Sequence, residues 1–172
     1  MHDLVIRNAT VFDGLGSDPV DADVAVDNGR VAVIGSIEGT ALRTVHADGL
    51  SLARGIVDLH THYDAQVTWD KQMSPSPSLG VTSAVIGNCG FGIVPCPPPV
   101  RDLILRNLSV VAGMVLDSLR SCVDWCFESF ADSIAALRGL GPYLHASAPA
   151  GPAVIRTAGM GHAPSPPPHA PH

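Results

Sequence analysis

The chain has 172 residues, with 10 Lys and Arg against 16 Asp and Glu, which gives a formal net charge of −6. This length accommodates one domain, or a small domain with part of another. The net negative charge argues against nucleic-acid binding, which depends on positive charge. Hydrophobic residues make up 46% of the chain and charged residues 15%, a composition that argues against global disorder. No apolar run is long enough to span a membrane, and the N-terminal residues do not show the basic segment followed by an apolar segment that is typical of a secretory signal peptide. We therefore expect a cytoplasmic protein without nucleic-acid or membrane partners.

Residues 1–54 contain short β-branched runs separated by turn residues. The clearest signal is Asn28-Gly29, which is flanked by two such runs at residues 22–26 and 30–35. Because Asn-Gly tolerates the positive φ angles of a type I′ turn, this pattern predicts a β-hairpin. We expect residues 1–54 to form a small antiparallel sheet.

The pattern changes at Gly55, where strand-like and helix-like segments begin to alternate. The predicted elements are strands at residues 56–60, 81–87 and 143–148 and helices at residues 102–113 and 129–138. The second helix is predicted to stop at Gly139, since glycine favours helix carboxyl termini. Strands that alternate with helices at this spacing are typical of βα units with a parallel sheet, so the sequence predicts an α/β fold.

A metal-ligand pattern ends the first of these strands, at His60 and His62. Side chains alternate between the two faces of a strand, so both imidazoles project from one face and can bind one metal ion. Asp58 lies on that face too, where its carboxylate can accept the second imidazole proton and fix the tautomer. A lone His-X-His is also compatible with coincidence in a chain of eight histidines. The strand's carboxyl end favours the ligand interpretation, because barrel enzymes place catalytic groups there.

Cys89 follows the second apolar strand, within Gly87-Asn88-Cys89-Gly90. A free cysteine is usually a small buried hydrophobic residue, and by itself Cys89 favours that interpretation. Beside a histidine pair on a neighbouring strand, it favours a ligand instead. Nitrogen and sulfur donors suit zinc, and a catalytic zinc ion retains three protein ligands and a water molecule.

The remaining cysteines carry no predicted chemistry. Four unevenly spaced cysteines in a chain without an export leader favour free thiols or ligands over a disulfide framework. We expect Cys96, inside a proline-rich loop, to be exposed. We expect Cys122 and Cys126, which are spaced as on one helical face, to be core residues.

These motifs, in this order, resemble the N-terminal part of the D-aminoacylases, which are N-acyl-D-amino-acid deacylases of the amidohydrolase superfamily. The matching segments are residues 55–64, Met73-Ser74-Pro75, Gly80-Val81-Thr82, residues 87–90, Val123-Asp124-Trp125, Glu128-Ser129-Phe130 and Gly159-Met160-Gly161. The resemblance implies that His60, His62 and Cys89 bind zinc, as one or two ions. It places Tyr63 and Asp64 either at the mouth of the substrate site or in a surface loop.

The resemblance also implies a fold, a (β/α)₈ barrel joined to a small β-sandwich built from both chain ends. Residues 1–54 then supply half of the sandwich. Residues 55–162 supply an incomplete TIM barrel of about three βα units, and residues 163–172 form a disordered proline-rich tail. In the family, the rest of the barrel supplies two further histidine ligands and the aspartate that acts as general base and acid. We therefore expect a truncated or frame-shifted hydrolase fragment with little or no activity, in which no catalytic residue is assigned.

The implied reaction is hydrolysis of an N-acyl-D-amino acid to a carboxylate and a D-amino acid. One alternative is a cyclic-amide hydrolase of the hydantoinase or dihydroorotase type, although those enzymes typically use a bridging lysine and Lys71 is the only lysine here. Another alternative is a non-catalytic fragment or an interaction module. Because a piece of parallel sheet leaves strand edges unpaired, we also expect loose packing and self-association.

Overall fold

The computed structural model describes residues 1–160, so the predicted tail at residues 163–172 lies outside the described residues. The chain divides into two compact units, Met1–Arg54 and the part from Gly55 onward. None of the helices within residues 1–160 combines the length and apolar character needed to cross a membrane.

The first unit is a five-stranded sheet. Its strands are β1 (His2–Phe12), β2 (Val20–Asp27), β3 (Arg30–Gly35), β4 (Ala41–His46) and β5 (Ser51–Ala53). The predicted hairpin is confirmed, since β2 pairs with β3 and the φ angles of Asn28 and Gly29 are 51° and 72°. The prediction of a purely antiparallel sheet is wrong, because β4 and β5 pair with β1 in parallel. After β3 the chain crosses to the other side of β1, and no local sequence pattern encodes that return.

Small apolar clusters cover this sheet. One contains Ala9, Val11, Val24 and Ala47, and the other contains Val5, Ala25 and Ile37. The pairing of β1 with β2 is interrupted between Ile6 and Ala9, where Asn8 adopts a φ of 57°. Asparagine tolerates this left-handed conformation better than most residues, so β1 continues through the irregularity. The outer strands carry exposed apolar side chains, among them Val31 and Leu42.

The second unit alternates strands and helices. Its elements are β6 (Ile56–Thr61), α1 (Tyr63–Gln66), β7 (Val81–Ile86), α2 (Arg101–Ala112), α3 (Leu116–Cys122), α4 (Phe130–Leu140), β8 (His145–Ser147) and α5 (Pro152–Met160), with 3₁₀ turns at Ser76–Leu79 and Pro98–Val100. The three strands form a parallel sheet in the order β6-β7-β8, which confirms the α/β class. Because the strands are parallel, their carboxyl ends lie at one edge of the sheet.

The longer helices begin and end at local signals. Gly113 follows α2 and Gly141 follows α4. Both glycines adopt the left-handed conformation, with φ angles of 65° and 59°. The predicted stop at Gly139 is wrong, since α4 continues through it to the next glycine. At the start of α4, Ser129 and Asp132 form a reciprocal capping box. α1, α3 and α5 are additional to the two predicted helices.

Two expectations about cysteines are wrong. Cys96 is fully buried, and its Sγ donates to the main-chain carbonyl of Phe127 at 3.2 Å. Cys122 and Cys126 are exposed, because the short helix α3 ends at Cys122 and buries only Leu119. All four cysteines are free thiols, as predicted.

Candidate metal centre

Two histidines and a cysteine meet at the carboxyl edge of the parallel sheet. His60 lies near the end of β6, His62 directly follows that strand, and Cys89 follows β7. Thr61, between the histidines, is buried, and its hydroxyl donates to the main-chain carbonyl of Val85 on the neighbouring strand at 2.9 Å. The end of β6 is therefore fastened to β7 between the two imidazoles.

The three side chains come within ligand-sharing distance. One donor atom from each of His60, His62 and Cys89 lies within 4.8 Å of the other two. The Cys89 Sγ is 3.8 Å from the Nδ1 of His62, and the two imidazole centroids are 5.4 Å apart. His60 is exposed and the other two side chains are half-buried, so an ion can reach them from solvent.

This donor set fits a zinc ion. With Zn–S near 2.3 Å and Zn–N near 2.1 Å, tetrahedral angles place a sulfur and a nitrogen ligand about 3.6 Å apart. The observed 3.8 Å between Cys89 Sγ and His62 Nδ1 is close to that separation. Within residues 1–160 the cluster supplies three nitrogen and sulfur donors, the ligand types that zinc prefers.

The turn that carries Cys89 is fixed to the sheet. Gly87 and Gly90 have φ angles of 81° and 87°, and the Gly90 N–H donates to the Gly87 carbonyl at 3.1 Å. The side-chain amide of Asn88 donates to the main-chain carbonyl of Leu59 in β6 at 2.6 Å. These contacts hold the cysteine close to the strand that carries the histidines.

Gly151 contacts the same turn from the segment after β8. A Cβ atom at Gly151 would lie 2.5 Å from the carbonyl oxygen of Gly90, which is too close for any side chain. Sequence analysis missed the positioning roles of both Gly151 and Asn88. Asn88 stands inside the recognised Gly-Asn-Cys-Gly stretch, whereas the role of Gly151 depends on a contact with a residue distant in the sequence.

Asp58 does not make its predicted contact. Its carboxylate accepts a hydrogen bond from the main-chain N–H of His60 at 3.1 Å. Within residues 1–160 no hydrogen bond joins this carboxylate to an imidazole nitrogen. In the structure, the Asp58 carboxylate therefore contacts the backbone that carries His60.

Tyr63 and Asp64 both lie inside the second unit rather than in a surface loop. The Tyr63 hydroxyl forms a hydrogen bond of 2.6 Å with the Ser76 hydroxyl. Burial raises the pKa of Asp64 to about 7, an effect that the nearby main-chain N–H groups of Asp64 and Gly87 offset only in part. In the described part of the chain its Oδ2 has no hydrogen-bond partner. Asp64 lines a mainly apolar cavity of about 50 Å³.

Comparison with known proteins gives consistent matches, although no protein-family model matches the chain. The sequence is 33% identical over 163 residues to a D-aminoacylase from Alcaligenes xylosoxydans xylosoxydans, which covers 92% of this chain and 31% of the relative. A D-aminoacylase structure described for its binuclear metal centre matches with a TM-score of 0.75 and 30% identity, over 94% of this chain and 32% of that one. An N-acyl-D-glutamate deacylase from Bordetella bronchiseptica, complexed with zinc and a phosphonate inhibitor, matches with a TM-score of 0.72 and 27% identity, over 93% and 31% of the two chains.

The chain thus spans about a third of the length of these relatives. One of the matched solved structures, of a D-aminoacylase, is described as defining a novel subset of amidohydrolases. The chain's homologues are D-aminoacylase and N-acyl-D-amino-acid deacylases, and its structural neighbours are D-aminoacylases, which confirms the predicted resemblance. The cyclic-amide alternative fits only weakly, since a D-hydantoinase from Rhizobium radiobacter matches just 51% of this chain.

Proposed function

We propose that this chain provides the metal-binding strand ends of a hydrolase that converts N-acyl-D-amino acids to a carboxylate and a D-amino acid. The observation that carries the proposal is the convergence of His60, His62 and Cys89 donor atoms within 4.8 Å at the ends of adjacent parallel strands. Convergence of this kind from two strands is the arrangement by which α/β enzymes build catalytic sites.

In this proposal, His60, His62 and Cys89 hold zinc. A zinc ion so held lowers the pKa of water and polarises the carbonyl of the scissile amide. The imidazoles bind as neutral donors and the cysteine as a thiolate, so loading the site releases protons and affinity rises with pH. Asp58 orients His60 through its main-chain N–H, and Asn88 orients Cys89 through the Leu59 carbonyl.

The proposal extends to the architecture. The parallel sheet β6-β7-β8 and its helices form the first part of a (β/α)₈ barrel, and residues 1–54 form half of a composite β-sandwich. The relatives matched at a TM-score of 0.72 or higher are about three times as long, which supports this assignment. Within residues 1–160 we assign no general base, so the role proposed for this part of the protein is metal binding.

Cobalt(II), a spectroscopic substitute for zinc, tests the metal site directly. We expect the chain to bind cobalt(II) with a sulfur-to-cobalt charge-transfer band that Cys89→Ala abolishes. His60→Ala and His62→Ala should each weaken binding about 10-fold or more. His46 is an exposed histidine in β4 and provides the matched control. The His46→Ala variant should bind cobalt(II) like the unaltered chain. A charge-transfer band that survives Cys89→Ala would overturn the assignment.

The substrate class is tested separately, by release of free amino acid from N-acetyl-D-methionine and from its L-enantiomer. Chelator-sensitive hydrolysis that is selective for the D-enantiomer, in a protein containing this chain with the remaining barrel, is the expected result. Selectivity for the L-enantiomer, or for a cyclic amide, would contradict the proposed reaction.

A further inference from the structure

The carboxyl group of Asp64 occupies a narrow space between two glycines. A Cβ atom at Gly87 or at Gly92 would lie 3.1 Å from the Asp64 Oδ1, closer than most real contacts of a Cβ atom. Both positions therefore allow the carboxylate to approach the main chain because neither carries a side chain. Asp64 is 7% exposed, so this contact is made in the interior of the second unit.

Asp64 joins the two segments that carry the donor atoms. It stands two residues after His62, in α1, and its Oδ1 lies against Gly87, whose N–H favours the charged carboxylate. Gly87 begins the turn that contains Cys89, and its carbonyl accepts the N–H of Gly90 across that turn. One side chain thus fixes the His62 segment against the start of the Cys89 turn.

The burial of the Asp64 carboxyl group opposes folding. The Asp64 Oδ2 is buried in the described part of the chain without a hydrogen-bond partner, beside apolar walls that include Val67 and Ile93. Burying an unsatisfied carboxyl oxygen opposes folding. An apolar side chain of similar size would fill the same space without that penalty, but it would not attract the Gly87 N–H.

We propose that Asp64 is a positioning residue, which holds the Cys89 turn against His62 through the attraction between its carboxyl oxygen and the Gly87 N–H. This inference rests on the proposed metal site and deepens it. This contact sets the distance between Cys89 Sγ and His62 Nδ1, and hence the ability of the two atoms to share an ion.

Asparagine and alanine at position 64 separate positioning from charge. Asp64→Asn keeps a side-chain oxygen of the same shape beside Gly87, so we expect its cobalt(II) affinity and charge-transfer band to stay within about 3-fold of the unaltered chain. Asp64→Ala removes this oxygen, and should weaken cobalt(II) binding about 10- to 100-fold with a reduced charge-transfer band. Asp70→Ala is the control, because its carboxylate bonds to Gln66 and Ser74, neither of which carries a ligand.

A second variant keeps the test decisive if Asp64→Ala fails to fold. Gly92→Ala places a methyl group against the Asp64 Oδ1 and leaves Asp64 in place. We expect it to weaken cobalt(II) binding, whereas Gly159→Ala, where a Cβ atom meets nothing within 4 Å, should not. Unchanged binding in Gly92→Ala and in any folded Asp64→Ala would overturn the positioning role. Equal losses in Asp64→Asn and Asp64→Ala would also overturn it, in favour of a role for the charge.

A measurement without metal distinguishes failure of this inference from failure of the metal site. The alkylation rate of Cys89 by iodoacetamide, followed by mass spectrometry, reports on the turn alone. Faster alkylation in Asp64→Ala than in Asp64→Asn supports positioning even if the unaltered chain binds no cobalt(II), and equal rates would contradict it.

Discussion

The side-chain amide of Asn88 donates a 2.6 Å hydrogen bond to the main-chain carbonyl of Leu59. Each of these residues immediately precedes a donor residue, since Leu59 adjoins His60 and Asn88 adjoins Cys89. The bond therefore links the two strands next to the donor atoms. It explains how a turn with two left-handed glycines can still present Cys89 at a defined place.

Removal of this link should loosen the site. Asn88→Ala is expected to lower cobalt(II) affinity about 10-fold, and to lower the free energy of unfolding by only about 1 kcal/mol, because the bond is exposed. Asn107→Ala, on α2, is the control for loss of an asparagine. Titration with cobalt(II) and urea denaturation measure the two effects. An affinity equal to that of the control variant would show that the turn does not need this bond.

Two glycine-to-alanine substitutions should have opposite signs. At Gly151 the new methyl group meets the Gly90 carbonyl at 2.5 Å, so Gly151→Ala should destabilise the fold by about 1–3 kcal/mol. At Gly139, within α4, a Cβ atom meets nothing within 4 Å, so Gly139→Ala should stabilise by about 0.5 kcal/mol. Urea denaturation of both variants checks the pair. If Gly151→Ala were neutral, the close approach of the two backbones would be wrong.

Cys96 should resist thiol reagents in the folded protein. It is fully buried and its thiol donates to the Phe127 carbonyl, whereas Cys122 and Cys126 are exposed. Alkylation at pH 8 followed by peptide mass spectrometry should modify the two exposed cysteines first, and Cys96 only after urea is added. Labelling of Cys96 as fast as Cys122 in the folded protein would contradict its burial.

The same thiol predicts a pH dependence of stability. Burial raises the pKa of Cys96 to about 11 from a usual value of 9.0. As the pH rises through 9, the unfolded chain releases this proton while the folded chain retains it. The free energy of unfolding should therefore fall between about pH 9 and 11, by an amount on the order of 3 kcal/mol. Cys96→Ala should lack this component and Cys122→Ala should retain it, as measured by urea denaturation at each pH.

The strand β6 pairs only with β7 among the described residues, and its Val57 and Leu59 are more than half exposed. Unpaired apolar strands associate with other chains, so we expect light scattering to show an apparent mass that rises with concentration. Val57→Lys should reduce this association because a charge on an edge strand opposes pairing. Val110→Lys, at an exposed position in α2, should leave it unchanged. A mass that stays monomeric across a tenfold concentration range, about as wide as such assays allow, would contradict the prediction.

Local signals in the sequence predicted several elements correctly. Asn28-Gly29 predicted its hairpin because the turn type is decided by two residues. The apolar runs predicted β6 and β7, and helical spacing predicted α2 and α4. The positions at which helices end were harder to predict. Helix α4 continues through Gly139 because a glycine within a helix is tolerated when the next turn still packs. The prediction that Cys122 and Cys126 are core residues failed because α3 ends at Cys122, so the two cysteines do not share a helical face.

By itself, the sequence determined the residue types of the candidate site and their places at strand ends. His60, His62 and Cys89 were identified because donor chemistry and the period of a β-strand are both local properties. Only the tertiary structure decided that their donor atoms lie within 4.8 Å, that Asp58 binds a backbone N–H, and that Asp64 reaches Gly87. It also decided the parallel pairing of β4 and β5 with β1. Such contacts join segments distant in the chain, and their geometry follows from how the whole core packs rather than from any short stretch of residues.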